Sequence, residues 1–189
     1  MKKLDELFIQ GKILKSDAKA VAVVGSRKIT LRGIKLTRKF VTALSKSGLT
    51  IVSGLARGVD TVAHQAALEA GGRTIAVLGS GLDIIYPFEN KKLAQEIVKH
   101  GALVSPFPLG TRPYPENFLA RNRVVANFSL AVLVIEGARR SGTLSTASWA
   151  ANQGIDVFAI PGSEATDWLI DQGATSVKCP QEIIDELKD

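Results

Sequence analysis

The chain is poor in the side chains that carry redox and metal chemistry. Its 189 residues include one cysteine, Cys179, and two histidines, His64 and His100. A single cysteine excludes an internal disulfide, and with only two histidines beside it no Cys/His zinc site can be completed. A metal would have to be held by carboxylates; no metal and no cofactor are expected. Long apolar runs are missing too. The longest, such as Leu130 to Ile135 and Thr74 to Leu78, are strand-sized and far short of the roughly 20 residues of a membrane span. The opening MKKLDELFIQGKILK mixes acids and lysines into its apolar residues and offers no small-residue cleavage site, so it does not read as a signal peptide. A cytoplasmic protein without a membrane partner is the expectation.

Acids are absent locally. Residues 18–59 contain none, yet they hold Lys19, Arg27, Lys28, Arg32, Lys35, Arg38, Lys39, Lys46 and Arg57. From Glu164 onward the balance reverses, with Glu164, Asp167, Asp171, Glu182, Asp185, Glu186 and Asp189 against Lys178 and Lys188. The formal net charge of +6 is thus a basic block partly offset by an acidic tail, a distribution that suits a polyanion bound on one face. Arg32, Lys35, Lys39 and Lys46 fall on the polar side of a helix whose Ile34, Val41 and Leu44 point inward, so they read as solvated surface. The charges expected to touch a ligand are Arg27, Arg57, Arg121 and Arg140.

What is present is ordinary globular material, 46% apolar and 22% charged, in a chain long enough to hide roughly 70% of its unfolded surface. Short apolar runs recur and end in Gly, Ser, Glu or Pro: Val21 to Gly25, Ile51 to Gly54, Thr74 to Gly79, Ala102 to Pro106, Leu130 to Glu136 and Val157 to Pro161. Such runs, nearly continuous in apolar character, are how strands buried on both faces read. Helical patterns alternate with them, at about 31–46, 58–70, 89–100, 116–128, 143–152, 167–172 and 180–188. The fold class is therefore α/β, a doubly wound, mostly parallel, Rossmann-like sheet in a single domain spanning 20–189, with 1–20 as a short N-terminal extension. The expected ligand crevice lies at a topological switch point between the first and fourth of these strands. The irregular stretch from Phe107 to Pro115, with Pro108, Pro113, Pro115 and Gly110, reads as part of a site.

The strand ends carry the unusual residues. Gly25-Ser26-Arg27 follows the first run, Ser53-Gly54-Leu55-Ala56-Arg57-Gly58 the second, Gly79-Ser80-Gly81 the third, and Glu136-Gly137-Ala138-Arg139-Arg140-Ser141-Gly142-Thr143 the fifth. Glycines let backbone N–H groups approach an anion, and a following helix N-terminus adds its positive dipole end. Glycine also serves such turns for steric reasons alone, so one turn says little; several converging with arginines say more. On the next helix, Phe118, Arg121 and Asn122 share a face by their i, i+3, i+4 spacing, while Arg123 turns aside. That face offers a ring to stack a base, a fork for phosphate and an amide. The plainer alternative is that Phe118 packs on the sheet and Arg121 pairs with a carboxylate such as Glu136.

Several enzyme classes fail on chemistry. A dinucleotide-binding G-x-G-x-x-G is absent after the first strand, where the chain reads G-S-R-K-I-T; no Gly-rich turn continues into Lys-Ser or Lys-Thr; and Ser53 lies in V-S-G-L, outside any nucleophile elbow. His64 follows Asp60 by one turn without a nucleophile in sequence reach, so capping or packing suits both. Trp149 and Trp168 read as packing. Glu136 is the one carboxylate placed for acid–base work or for gripping an arginine.

Taken together, VAVVGSR, IVSGLARGVDTVAH, TIAVLGSGLDIIYPFEN, NFLARNRVVA, VLVIEGARRSGTLSTASWA and VFAIPG resemble the Rossmann-like core of the DNA-processing protein A family, also called Smf, over about Ala20 to Ala174. The resemblance implies a non-enzymatic protein that binds single-stranded DNA in natural transformation and recombination, protects it, helps load the RecA recombinase, and pairs as a homodimer. It implies contacts at Gly25, Ser26 and Arg27, at Arg57, at Phe118, Arg121, Asn122 and Arg123, and at Ser141, Gly142 and Thr143, with Arg140 where the family often has lysine. Flanking helical and winged-helix-like domains of many relatives are not expected here. The rim after Pro161-Gly162 runs through Ser163-Glu164-Ala165-Thr166 and lacks a further Ser-x-Gly turn, which disfavours phosphate there. The competing class is a small-nucleotide-binding or phosphoribohydrolase-like protein. In the latter a P-G-G-x-G-T-x-x-E motif supplies a glutamate, and laying that Gly-Thr on Gly142-Thr143 leaves Thr146 in its place, a hydroxyl unable to serve as the base or to stabilise an oxocarbenium ion.

Overall fold

The structure, a computed structural model, describes residues 7–139 and 141–188. Arg140 and residues 1–6 of the extension lie outside the described residues. Among these residues one eight-stranded sheet runs through the molecule in the order β1-β5-β4-β3-β2-β6-β7-β8. Its strands are β1 (Phe8–Gly11), β2 (Ala20–Val24), β3 (Thr50–Ser53), β4 (Thr74–Val77), β5 (Ala102–Ser105), β6 (Ala131–Val134), β7 (Asp156–Ala159) and β8 (Thr175–Ser176). All pairings are parallel except that of β1, which runs antiparallel along β5 with Phe8 opposite Ser105. The helices are α1 (Leu31–Lys46), α2 (Val59–Glu69), α3 (Lys91–His100), α4 (Pro115–Asn127), α5 (Gly142–Asn152), α6 (Glu164–Asp171) and α7 (Pro180–Glu186).

Alternate residues of the central strands feed two cores, as a strand's period of two requires. Val21, Val23, Ile51 and Leu133 pack with Phe40, Val41 and Leu44 of α1, Ala63 and Ala67 of α2 and Ile183 of α7. Beyond them on the same face, Ala76 and Leu103 meet Ala94 and Ile97 of α3. On the opposite face Ala22, Val24, Val132 and Val134 pack with Val125 of α4, Ala147 and Ala150 of α5 and Leu169 of α6. Trp149 and Trp168 pack partly buried against this second core.

The chain steps outward from β2 to β5, then crosses back by α4 to place β6 on the other side of β2. The order therefore reverses between β2 and β6, the first and fifth strands of the sequence pattern, not the first and fourth. The return is made by α4, whose Val125 and Ala126 are buried in the core on the second face, and it follows β5, the fourth strand of the pattern. Two edge elements escape the pattern. β1, every residue of it exposed, lies inside the segment read as an extension, and β8 is only two residues long. The extension is clamped at the base of the sheet by Asp17, which is buried and accepts from Arg73 Nε at 2.8 Å, Arg73 Nη2 at 2.9 Å, Thr50 Oγ1 at 2.8 Å and the Leu14 amide at 2.7 Å. α6 starts three residues earlier than the apolar period suggests because Ser163 and Thr166 form a capping box.

Candidate nucleic-acid interface

At the carboxyl ends of β2 and β6 the sheet opens into a cleft of about 370 Å³, where an open α/β sheet presents its ligand site. One lip is the turn Gly25 to Lys28, the other Ala138 and the start of α5 from Ser141 to Thr146, and the floor holds Asp60, Arg121 and Asn122. The first lip is braced at three points. Ser26 N donates to Glu136 O at 2.9 Å, Val59 N donates to Ser26 O at 3.1 Å, and the Ser26 hydroxyl accepts from Lys28 N at 3.0 Å. Gly25 is required because a Cβ there would come within 2.6 Å of Val59 Cγ2. Arg27 and Lys28 stand exposed on this braced turn.

Glu136, expected as an acid–base group or an arginine partner, is bonded instead to Thr30. It is buried, and its carboxylate accepts from Thr30 N at 2.7 Å and Thr30 Oγ1 at 2.6 Å. Thr30 is the N-cap of α1, its hydroxyl in turn accepting from Gly33 N at 2.9 Å. An anion at a helix N-terminus is favoured by the dipole and the unpaired amides. Gly33 makes room for it, since a Cβ would sit 2.5 Å from the carboxyl carbon. Glu136 thus ties the end of β6 to the loop after β2 and holds the two lips in register.

On the second lip Ser141 is the N-cap of α5, but its side chain makes no capping bond. Among the described residues Ser141 Oγ is a buried oxygen without a hydrogen-bond partner. With Gly142 and Thr143 it brings the first turn of an 11-residue helix to the cleft wall, a group of donors suited to phosphate.

The α4 residues separate by depth. Phe118 is half-buried under Gly79, where a Cβ would come within 2.8 Å of its ring, and stays at the cleft's edge. Arg27 Cζ lies 5.3 Å and Arg121 Cζ 5.5 Å from its centroid, and the Tyr86 ring 6.0 Å away. Arg121 is 4% exposed. Its guanidinium donates to Gly54 O and, at 3.2 Å, to Val77 O, so the fork read as a phosphate ligand engages the carbonyl ends of β3 and β4. Its partner is not Glu136. Asn122 joins α4 to α5: it accepts from Arg121 Nε at 3.0 Å and donates to Ser145 Oγ at 2.6 Å and Gly142 O at 3.2 Å. Arg123 does turn aside, stacking 4.5 Å from the Trp149 centroid. Arg57 is exposed beyond Phe118 and ion-paired with Glu89.

Asp60 and His64 are both buried on α2 and do not pair. Asp60 accepts from the amides of Gly54 at 3.1 Å and Ala56 at 3.3 Å, and burial pushes its carboxyl above the ordinary aspartate range against the pull of Arg121. His64 Nδ1 lies 2.7 Å from Thr74 Oγ1, whose proton goes to Ile51 O, so the ring nitrogen is the donor. Burial and the nearby Arg121 charge lower His64 to about 3, leaving it neutral. Lys28, Asp60, Ala138 and Thr146 line the cleft without having been singled out as ligands. Lys28 had a visible signal as the neighbour of Arg27, whereas Asp60, Ala138 and Thr146 are placed only by the folding of α2, the loop after β6 and α5. Among the described residues no cluster of three acidic, His or Cys side chains could hold a metal, and no helix is long and apolar enough to cross a membrane.

The fold and sequence have relatives among known proteins. Protein Smf of Escherichia coli (strain K12) is 47% identical over 96% of the chain, which spans 50% of that relative. The solved structure of DNA processing protein A (DprA) from Streptococcus pneumoniae superposes with a TM-score of 0.89 at 42% identity, covering 95% of this chain and 65% of that one. DNA processing protein A from Helicobacter pylori, described for its unique single-stranded DNA binding mode, gives a TM-score of 0.88 at 33% identity over 96% of this chain and 86% of that one. The chain thus spans only part of the curated relatives it matches, 50% of the Escherichia coli protein and 66% of the Streptococcus pneumoniae one. The model of DNA recombination-mediator protein A matches residues 3–188, and with a doubly wound sheet that superposes on solved members the chain belongs to that family.

Proposed function

We propose that the chain binds single-stranded DNA across the cleft between β2 and β6 and acts in DNA uptake, natural transformation and recombination, protecting the strand and assisting RecA loading. The observation that carries the reading is the charge of the cleft: Arg27, Lys28 and Arg121 line it against one acid, Asp60, whose carboxylate is already held by two amides. Successive phosphates are held by the Gly25 to Lys28 turn and by Ser141, Gly142 and Thr143, and a base stacks on Phe118. Arg57 and Arg123 flank this path, while Arg121 and Asn122 shape its floor. Arg140, read from the sequence as a further contact, lies outside the described residues. The relative described for its single-stranded DNA binding supports the ligand, and the family's description as a recombination mediator supports the role.

The protein acts without catalysis, in the cytoplasm and as a homodimer. Thr146 stands in the cleft wall where a phosphoribohydrolase needs glutamate, and Glu136 is held by Thr30, so neither offers a carboxylate to a sugar. Titration of labelled oligo-dT at two salt concentrations, with AMP as competitor, tests the reading. Micromolar or tighter binding that weakens with salt, is lost in Arg27→Ala and resists AMP is the expected result. Salt-independent binding, or tight AMP binding with no preference for the strand, contradicts it.

A further inference from the structure

Outside the cleft, the loop after β4 carries aromatic rings, and the first turn of α3 lysines, that the cleft does not use. Phe88 is 76% exposed and Tyr86 44%. One exposed ring is ordinary on a protein surface, but this one has company. Lys91 Nζ lies 5.9 Å from the Phe88 centroid, Lys92 is exposed beside it, and Tyr86 lies against Phe118 at the edge of the cleft. The acids nearby are engaged: Glu89 pairs with Arg57, and Glu96 with Lys99 at 2.7 Å. Lys91 and Lys92 make no ion pair among the described residues. A small pocket lined by Arg27, Arg57, Tyr86 and Phe118 joins this patch to the cleft.

The loop is also fixed in place. Asn90, buried, donates from Nδ2 to Leu55 O at 2.9 Å and to Thr61 Oγ1 at 2.8 Å, and Ser80 Oγ donates to Ile84 O at 2.6 Å. A rigid ring loses little entropy when a ligand stacks on it. We propose that Tyr86 and Phe88, flanked by Lys91 and Lys92, form a second stacking station that takes the nucleotides of the single strand leaving the cleft past Phe118. The proposal rests on the single-strand reading of the cleft. The chemistry is that of a sequence-tolerant station: a π-face for any base, with ammonium groups beside it for the phosphates.

The test compares two oligo-dT lengths, about 6 and about 16 nucleotides, within the range of single-strand site sizes. Phe88→Ala is expected to weaken the longer by about five- to hundred-fold, the equivalent of one lost stack, and to leave the shorter unchanged. Phe88→Trp retains the longer strand's affinity. Lys91→Ala with Lys92→Ala lowers the salt slope of the longer strand by about 0.7 for each phosphate no longer neutralised. Phe88 is exposed, so the variant folds, which circular dichroism verifies. Equal affinity of Phe88→Ala and the unmodified protein for the longer strand overturns the station while leaving the cleft intact. Failure of the unmodified protein to bind either strand overturns the cleft reading, and this proposal with it.

Discussion

Replacing Glu136 by alanine separates a positioning role from every other role open to a carboxylate beside this cleft. The carboxylate makes two short bonds, to Thr30 N at 2.7 Å and Thr30 Oγ1 at 2.6 Å, at a side chain 5% exposed. Hydrogen bonds to a charged group contribute about 1.5–3 kcal/mol each, and an anion at the start of α1 adds about 0.3–1 kcal/mol. Removing the charge also removes its desolvation cost, so the net loss is about 2–4 kcal/mol. At about 2–4 °C per kcal/mol for a chain of this size, thermal unfolding followed by circular dichroism should show a midpoint lower by about 4–16 °C. A double-mutant cycle with Thr30→Ala should give a coupling of about 1 kcal/mol or more. The DNA measurement has a sign that simple electrostatics does not share. Deleting an acid near a polyanion site strengthens binding by charge alone, whereas loosening the lip that carries Arg27 and Lys28 weakens it. Glu136→Gln should therefore bind oligo-dT less tightly than the unmodified protein. A stability change below about 0.5 kcal/mol, or tighter binding by the glutamine variant, refutes the reasoning.

Gly54→Ala places a Cβ on Arg121 Nη1 and drives the guanidinium off Gly54 O and Val77 O; urea unfolding should show a loss of about 1–3 kcal/mol from those unmade bonds, and an unchanged midpoint would contradict it. Burial opposes ionisation of Asp17, but Arg73, the Leu14 amide and Thr50 together hold its carboxyl below the ordinary value of 3.8. Its stabilisation is therefore present above that value and lost as pH falls through the lower folded one, and Asp17→Asn should flatten this acid limb of the stability–pH curve. His64, lowered from 6.5 to about 3 by burial and Arg121, is neutral when folded. Its contribution is complete above pH 6.5 and falls by about 1.4 kcal/mol per pH unit below it. His64→Asn, which can keep a donor toward Thr74, should remove that slope, and persistence of the slope would exclude His64 as its source.

Much of this molecule is legible in sequence because its strands are buried on both faces. Continuous apolar runs such as Val21 to Val24 and Ala131 to Val134 leave no other reading, and the glycines at their ends locate the cleft. β1 and β8 are not legible, since an exposed edge strand carries no burial pattern. Strand order is misplaced by one because a helical period shows that α4 is a helix but not how far it carries the chain back. The shared face of Phe118, Arg121 and Asn122 follows from their spacing, yet spacing says nothing about depth. Arg121 sinks between Gly54 and Val77 because Gly54 lacks a side chain, a reason located 67 residues away in sequence. The roles of Glu136 and Asn122 likewise depend on Thr30 and Ser145, partners that only the packed structure brings within reach.

Amide hydrogen exchange on the complete chain, with and without oligo-dT, tests the central claim most directly because it reports where the strand lies. Slowed exchange at residues 25–28 and 141–146, the two lips of the cleft, with little change in α7 or at the Asp17 clamp, is the result predicted. Protection confined to the amino ends of the strands, or none at either lip under saturating oligonucleotide, would contradict it.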